Sequence, residues 1–513
     1  MSAGTLWSNG RIFTGRRFVE AVAAEEGRVV AAGALRTVRR SVATGTERVD
    51  LGGRIVTPGL TDAHLHVLEI ARDLAGVDLT GSRSIGELGR RVRAWAVVHP
   101  DGPVVGAGWD QDRLRDGRYP TARDVERWVG DRPTVLTRAC RHAALVSATV
   151  LDEVGIGEAT PDPPGGRIGR TPDRRPNGLL FDNALRPLRP WADRAFAHSR
   201  LGLPELFARA ASLGLTTLAP MSASPSEVEE LGRLVRGRRR PPVRLVAYLR
   251  ADARAQFPRL RRRLATPSSR LAGLKVVGDG AFGPRTAWLR RPYRDRADES
   301  GFPLLSRDEL TEIASEAEGL GAGLAVHAIG DRALATTLAV FAKLRPTVRP
   351  RLEHASLAPP DLLARLDAVR PHLVVQPRFV PSDAWIVERL GPRRARWTYP
   401  FRTYLAHGHA PAASSDAPVE SLDPWAGIAA AVAPRATRAP ESLDAVSALR
   451  MYTENAGPVL GWPGLGSLEV GGVADLVECH GTDLPTLASA GSSRVRRVWR
   501  DGTQTAGPGS GER

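Results

Sequence analysis

The sequence is that of an α/β protein, and it predicts a (β/α)8 TIM barrel with an insertion over the barrel mouth and a small β-sandwich domain formed by both chain ends. Eight short apolar strand candidates alternate with amphipathic helical segments, and a different, short-strand texture recurs at both ends. The chain of 513 residues also exceeds a bare barrel of roughly 250 residues, which leaves room for additions.

At the N-terminal end, Leu6 to Phe13, Phe18 to Glu25, Arg28 to Ala32 and Arg48 to Val56 read as strands separated by Gly or polar residues. The texture returns in Gly466 to Glu478 and Arg494 to Asp501, so residues 1–57 and 464–502 are expected to pair as one β domain. The Gly-rich, polar tail 503–513 is expected to be flexible. Between them, residues 58–463 hold the barrel. Its strands are placed at Ile55 to His66, Leu215 to Ala219, Val243 to Leu249, Gly273 to Val277, Leu324 to Ala328, Arg351 to Ala355, His372 to Gln376 and Ala410 to Ser415. Helix starts fit this spacing: Ser224 precedes Pro225 and Glu227, and Ser306 precedes Glu309, capping-box patterns that satisfy free amides of a first helical turn. Residues from about 79 to 190 are too many for one strand-to-helix loop and read as an insertion over the mouth.

Hydrophobic residues at 42% and charged residues at 25% are ordinary for a globular protein. No run reaches the roughly 18 apolar residues of a membrane span, and the start MSAGTLWSNGR lacks the basic and apolar regions of a secretory signal. A cytoplasmic protein with no membrane partner is expected. Two cysteines, Cys140 and Cys479, build neither a disulfide framework nor a cysteine zinc site. The net charge of +16 would suit an acidic partner, yet Lys275 and Lys343 are the only lysines among 72 basic residues, which points to arginine-rich composition. The stretches Arg236 to Arg240 and Arg259 to Arg263 adjoin helical patterns without interleaved aromatics, so they read as solvated helix faces rather than a nucleic-acid groove. The expected partner is a small-molecule substrate, and self-association into a homo-oligomer is left open.

Thr61-Asp62-Ala63-His64-Leu65-His66 closes the first barrel strand. Residues two apart on a strand share a face, so His64 and His66 can bind one ion through neutral imidazoles. This pair alone is a weak signal. It gains weight because Lys275 lies in the fourth strand and His327, His354 and Asp416 end the fifth, sixth and eighth, at the rim where barrel active sites are assembled. Four histidines and a carboxylate suit one or two divalent ions, zinc first among them for nitrogen-rich ligation. Lys275 as an ammonium would repel such ions. As a neutral amine it can take up carbon dioxide and become a carbamate with two oxygens, which arginine cannot do. The alternative is a lysine paired with a carboxylate such as Asp279.

Motifs along nearly the whole chain resemble amidohydrolase family 3, which includes N-substituted formamide deformylases. They are VTPGLTDAHLHV at 56–67, GAGWDQDRL at 106–114, PDPPGGRIGR at 161–170, GLKVVGDGAFGPRTA at 273–287, VHAIGDRA at 326–333, RLEHASL at 351–357, SSDAPVESLDPWAGI at 414–428 and YTENAG at 452–457. The resemblance implies His64, His66 and Asp416 on one metal, His327 and His354 on a second, and a carboxylated Lys275 bridging them. The chain departs from the family pattern at Gln376-Pro377-Arg378-Phe379, where a histidine often follows Gln-Pro. It departs again at Cys140-Arg141-His142 in place of Asp-Gly-His, at the short Asp182, and at Leu218-Ala219-Pro220. These changes concern the substrate pocket and leave the implied ligands in place.

The expected activity is hydrolysis of a non-peptide carbon-nitrogen bond, amide or formamide-like, by metal-activated hydroxide, with Asp416 as proton shuttle. Trp109, His142, Arg285 and Gln376 are candidate substrate contacts, each with a structural alternative: Trp109 as core, Arg285 as a partner of Asp279 or another acid. An esterase or lactonase, or a non-catalytic metal- or ligand-binding relative, would use the same scaffold.

Overall fold

A computed structural model describes residues 4–188, 190–191, 202–238, 240–344, 348–434 and 440–508. Eight parallel strands form the barrel sheet: Leu60–Leu65, Leu215–Pro220, Arg244–Arg250, Ser269–Val277, Gly323–Ala328, Arg351–His354, His372–Val375 and Ala412–Ala413. The last returns to the first through Asp416 N–H donating to His64 C=O at 2.9 Å. Strands covered on both faces are continuous apolar runs, and the first, second, fifth and sixth are buried at every residue. Helices between them start as expected. The Ser224 hydroxyl accepts from Glu227 N–H at 3.2 Å, and at Ser306 the reciprocal capping box is complete. No helix among the described residues is long and apolar enough to cross a membrane.

The expected first strand, Ile55 to His66, divides in two. Ile55–Pro58 joins the terminal sheet and Leu60–Leu65 joins the barrel, with Gly59 between. A Cβ at Gly59 would lie 2.4 Å from Thr216 Oγ1 and 2.6 Å from Asp475 Cβ, so the crossing between sheets needs glycine. Arg48 to Val56 likewise separates into Glu47–Asp50 and Ile55–Pro58, and of Gly466 to Glu478 the strand is Leu476–Cys479.

Both chain ends build one eight-stranded sheet: Thr5–Phe13, Phe18–Glu25, Arg28–Gly33, Glu47–Asp50, Ile55–Pro58, Leu476–Cys479, Val495–Arg500 and Thr503–Ala506. Ile55–Pro58 pairs antiparallel with Leu476–Cys479 and joins the two ends. Adjacent residues face opposite sides, so Trp7 packs with Trp499 in one apolar cluster while Leu6 packs with Val38 in another. Thr503–Ala506, expected in a flexible tail, is instead the edge strand against Val495–Arg500, because its backbone groups find ladder partners there. Residues 509–513 lie outside the described residues. Arg244, fully buried at the start of the third barrel strand, ties the barrel to this sheet through Thr217 Oγ1 at 2.9 Å, Asp475 at 2.7 Å and Asp501 at 2.6 Å.

The insertion carries a six-stranded sheet of its own, Val77–Asp78, Val104–Trp109, Thr134–Arg138, Ala143–Val146, Gly166–Arg170 and Pro176–Asp182. Helices Ile85–Val98 and Ala122–Val129 cover one face, and Ala148–Glu153 covers the other. Arg189, inside the expected insertion, lies outside the described residues. Asn183 Nδ2 donates to Leu304 C=O at 3.1 Å and Arg389 pairs with Asp112 at 2.8 Å, which holds the insertion over the barrel mouth.

Candidate metal centre

The first strand places His64, and the residue after its neighbour, His66, in reach of one carboxylate. Asp416 Oδ1 lies 3.2 Å from His64 Nε2 and 3.2 Å from His66 Nε2. One ligand atom from each of the three falls within 4.8 Å of the others, close enough to share an ion. The His354 ring is 5.1 Å from that of His64 and 4.4 Å from that of His327. Lys275 joins them on the wall of a cavity of about 1050 Å3, its ammonium buried and without a hydrogen-bond partner among the described residues. All six expected ligands line that cavity.

Local backbone makes this convergence possible. Along Arg351–His354 a regular strand would send His354 to the face opposite Glu353. The strand ends there with φ of 71° at His354 and 45° at Ala355, which turns the imidazole into the mouth. Asp416 holds φ of 55° just past the eighth strand. Such backbone strain gathers at functional sites, where surrounding contacts enforce it. Asp62 supplies one of those contacts, accepting from His64 N–H at 3.2 Å and Ser415 N–H at 3.1 Å across the closing seam of the barrel.

Burial pulls Lys275 down to about 8, which makes the neutral amine a minor but accessible form near neutral pH. Burial also holds His327 and His354 well below the usual histidine range, as neutral imidazoles with lone pairs. Burial alone would raise Asp416, but His64, His66 and His354 outweigh it and keep the carboxylate ionised. Behind the ring of ligands, His64 Nδ1 meets Glu353 Oε2 at 2.6 Å, His354 Nδ1 meets Gln376 Oε1 at 2.8 Å, and His327 Nε2 meets Gly280 C=O at 3.1 Å.

Of the four candidate substrate contacts, only His142 faces the cavity as expected. It reaches in from the insertion, its Nδ1 bonded to Asp182 Oδ1 at 2.6 Å and its ring 5.5 Å from that of His327. Trp109 is instead core: buried in the insertion, it donates Nε1–H to Leu136 C=O at 2.8 Å. Arg285 pairs with Asp295 at 2.6 Å, not with Asp279, because Asp279 is buried and accepts from the backbone amides of Trp288, Ile329 and Gly330. Gln376 is buried behind His354 and donates to Ser414 Oγ at 2.9 Å, so it holds a candidate ligand and does not line the cavity. The alternative pairing of Lys275 with Asp279 does not form, since the Lys275 ammonium has no hydrogen-bond partner. Sequence reasoning missed Asp62 and Glu353, although both stand inside the motifs that carry the ligands.

The amidohydrolase family model matches residues 47–506. The chain belongs to the amidohydrolase family. Within that family it is 29% identical over 480 residues to YtcJ of Bacillus subtilis (strain 168), a protein named for the same family, covering 89% of this chain and 90% of that one. It is 27% identical over 532 residues to the N-substituted formamide deformylase of Arthrobacter pascens, covering 94% of each. An uncharacterized metal-dependent hydrolase from Pyrococcus horikoshii OT3 superposes with a TM-score of 0.78 at 29% identity, over 96% of this chain and 100% of its own. A metal-dependent hydrolase from Pyrococcus furiosus gives 0.74 at 32% identity, over 93% and 98%.

Proposed function

We propose that this amidohydrolase is a metal-dependent hydrolase that cleaves a non-peptide carbon-nitrogen bond, amide or formamide-like, in a small molecule. The observation that carries this reading is the buried, unpartnered Lys275 ammonium beside three convergent ligand atoms. A buried ammonium with no hydrogen bond is costly, and carboxylation would replace it with an anion suited to holding divalent ions. His64, His66 and Asp416 would hold one divalent ion, and His327, His354 and carboxylated Lys275 would complete a place for a second, zinc suiting the nitrogen-rich donors. When bound, such an ion supplies Lewis acidity and lowers the pKa of water to about 7.

The chain's own residues do the rest. Asp416 Oδ1 lies 3.2 Å from both imidazole Nε2 atoms, where the three would share an ion, and its other oxygen, Oδ2, would take a proton and return it to the leaving nitrogen. His142, held by Asp182, orients the substrate from the insertion side. The cavity of about 1050 Å3 has the size of a small-molecule site, and the formamide deformylase among the relatives supports the carbon-nitrogen bond as target. Elemental analysis of the purified protein is expected to find one or two equivalents of zinc or a similar divalent ion. Removing it by chelation is expected to abolish turnover of formamides and amides. Full turnover by metal-free protein would sink the metal assignment, and cleavage of esters or lactones with no amide turnover would sink the bond assignment.

A further inference from the structure

Three imidazoles of the site are gripped from behind, and the grips differ in charge. His354 gives its Nδ1–H to the Gln376 amide oxygen at 2.8 Å, and His327 gives its Nε2–H to the Gly280 carbonyl at 3.1 Å, both neutral acceptors; the Asp279 carboxylate stands farther from His327 Nε2, at 3.4 Å, with its oxygens taken by the amides of Trp288, Ile329 and Gly330. His64 gives its Nδ1–H to an anionic acceptor, the Glu353 carboxylate, at 2.6 Å, the shortest of the three contacts. Glu353 is fully buried, and Arg351 clamps it with Nε to Oε1 at 2.8 Å and Nη2 to Oε2 at 3.1 Å. Arg351 is fixed in turn by Ala63 C=O at 2.8 Å and by the Tyr248 ring, 4.6 Å below its guanidinium. Arg351 and Glu353 share a face of their strand, so the clamp is set by strand alternation. With the outer nitrogens spoken for, His64 Nε2, His354 Nε2 and His327 Nδ1 are left as the lone pairs.

The geometry points to Glu353 as a positioning residue that makes His64 the strongest nitrogen donor of the centre, so that the half built from His64, His66 and Asp416 takes up an ion first. This rests on the metal-centre reading above. An anionic acceptor on the outer nitrogen makes an imidazole a more basic ligand and fixes its tautomer and tilt, and loss of such a partner weakens metal binding by about 10–100-fold. Gln376 adds no charge behind His354, and behind His327 the nearest carboxylate, Asp279, stands at 3.4 Å against 2.6 Å for Glu353 behind His64. Glu353 therefore separates the affinities of two halves that carry similar ligands.

The test is a titration of full-length, metal-stripped protein with zinc against a chromophoric competing chelator, wild type beside Glu353→Gln. Glutamine keeps the shape and an acceptor oxygen but removes the charge. The tightest class of site in the wild type is expected to weaken about 10–100-fold, while any weaker class stays within about twofold of its wild-type affinity. Cobalt bound to that tightest class reports the same change through its visible spectrum, which a merely structural role would leave alone. Should Glu353→Gln fail to fold because Arg351 loses its counter-charge, the double variant Arg351→Gln, Glu353→Gln removes both charges together and is expected to show the same selective loss. An unchanged tightest class, or equal weakening of both classes, overturns the inference. Wild-type protein that binds no divalent ion at all overturns the metal-centre reading instead.

Discussion

Lys275 is where composition and chemistry meet most sharply, since the chain has one other lysine among 72 basic residues. Lys275→Arg keeps a positive charge but cannot form a carbamate. It is expected to lose bound metal and turnover as fully as Lys275→Ala, while Lys343→Arg, at an exposed position, stays within about 0.5 kcal/mol of wild-type stability. Wild-type metal content in Lys275→Arg would leave a centre held by histidines and Asp416 alone. The candidate ligands are legible in the sequence because they sit at or near strand ends, places that apolar runs mark out. Glu353 and Asp62 are not, because a carboxylate acting from behind a ligand is defined by what faces it across the barrel. Trp109 has two readings in the sequence, pocket or core, because an aromatic beside polar residues fits either until its neighbours are known, and its neighbours make it core. Asp383 adds a residue-scale prediction of another kind. Burial raises it from 3.8 to about 7, with Glu420 adding to the shift and the Tyr399 hydroxyl opposing it. The folded chain thus holds a proton that the unfolded chain has already released, so this group costs stability as pH rises from about 4 to about 7 and adds no further change above. Asp383→Asn has no proton to release and is expected to raise the thermal midpoint at pH 8 but not at pH 4. Equal shifts at both pH values would contradict this.

At the scale of elements, the strands were read well where apolar runs end at turn residues and poorly where two sheets follow one another without a break in hydrophobicity. Residues 55 to 65 form such a join: nearly every side chain is buried, so periodicity gives no sign that the chain leaves one sheet for another. Only Gly59 marks the crossing. Gly59→Ala is expected to cost about 1–3 kcal/mol by overpacking against Thr216 and Asp475, measured as a lower denaturation midpoint at unchanged slope. A variant as stable as wild type would show that the two sheets can part at no cost. The helix starts were read more easily, because a cap is a local device. Ser306→Ala removes the acceptor for Glu309 N–H and is expected to cost about 1 kcal/mol in the same measurement.

For the whole molecule, the pairing of the two chain ends was legible as a shared texture, while their meeting through Ile55–Pro58 and Leu476–Cys479 needed three-dimensional information. Deleting residues 1–50 would strip Trp7 from Trp499 and open the terminal sheet, so aggregated protein is expected; a soluble, active product would show that the barrel stands without it. The excess of arginine also finds local employment. Arg236 donates to the carbonyls of Arg262 and Arg263, and Arg259 and Arg263 both face Glu229. Arg239, in the middle of the first basic stretch, lies outside the described residues.

The seam between Ile55–Pro58 and Leu476–Cys479 also sets a clock. A ribosome adds about 5–20 residues per second, so the early strand emerges on the order of a minute before its late partner exists. Throughout that interval one edge of a buried, apolar strand stands open, a template for pairing with another chain. Synthesis is therefore an interval of aggregation risk for this protein, and a chaperone that shields the nascent N-terminal sheet is expected to raise the soluble yield without touching the stability of the finished fold.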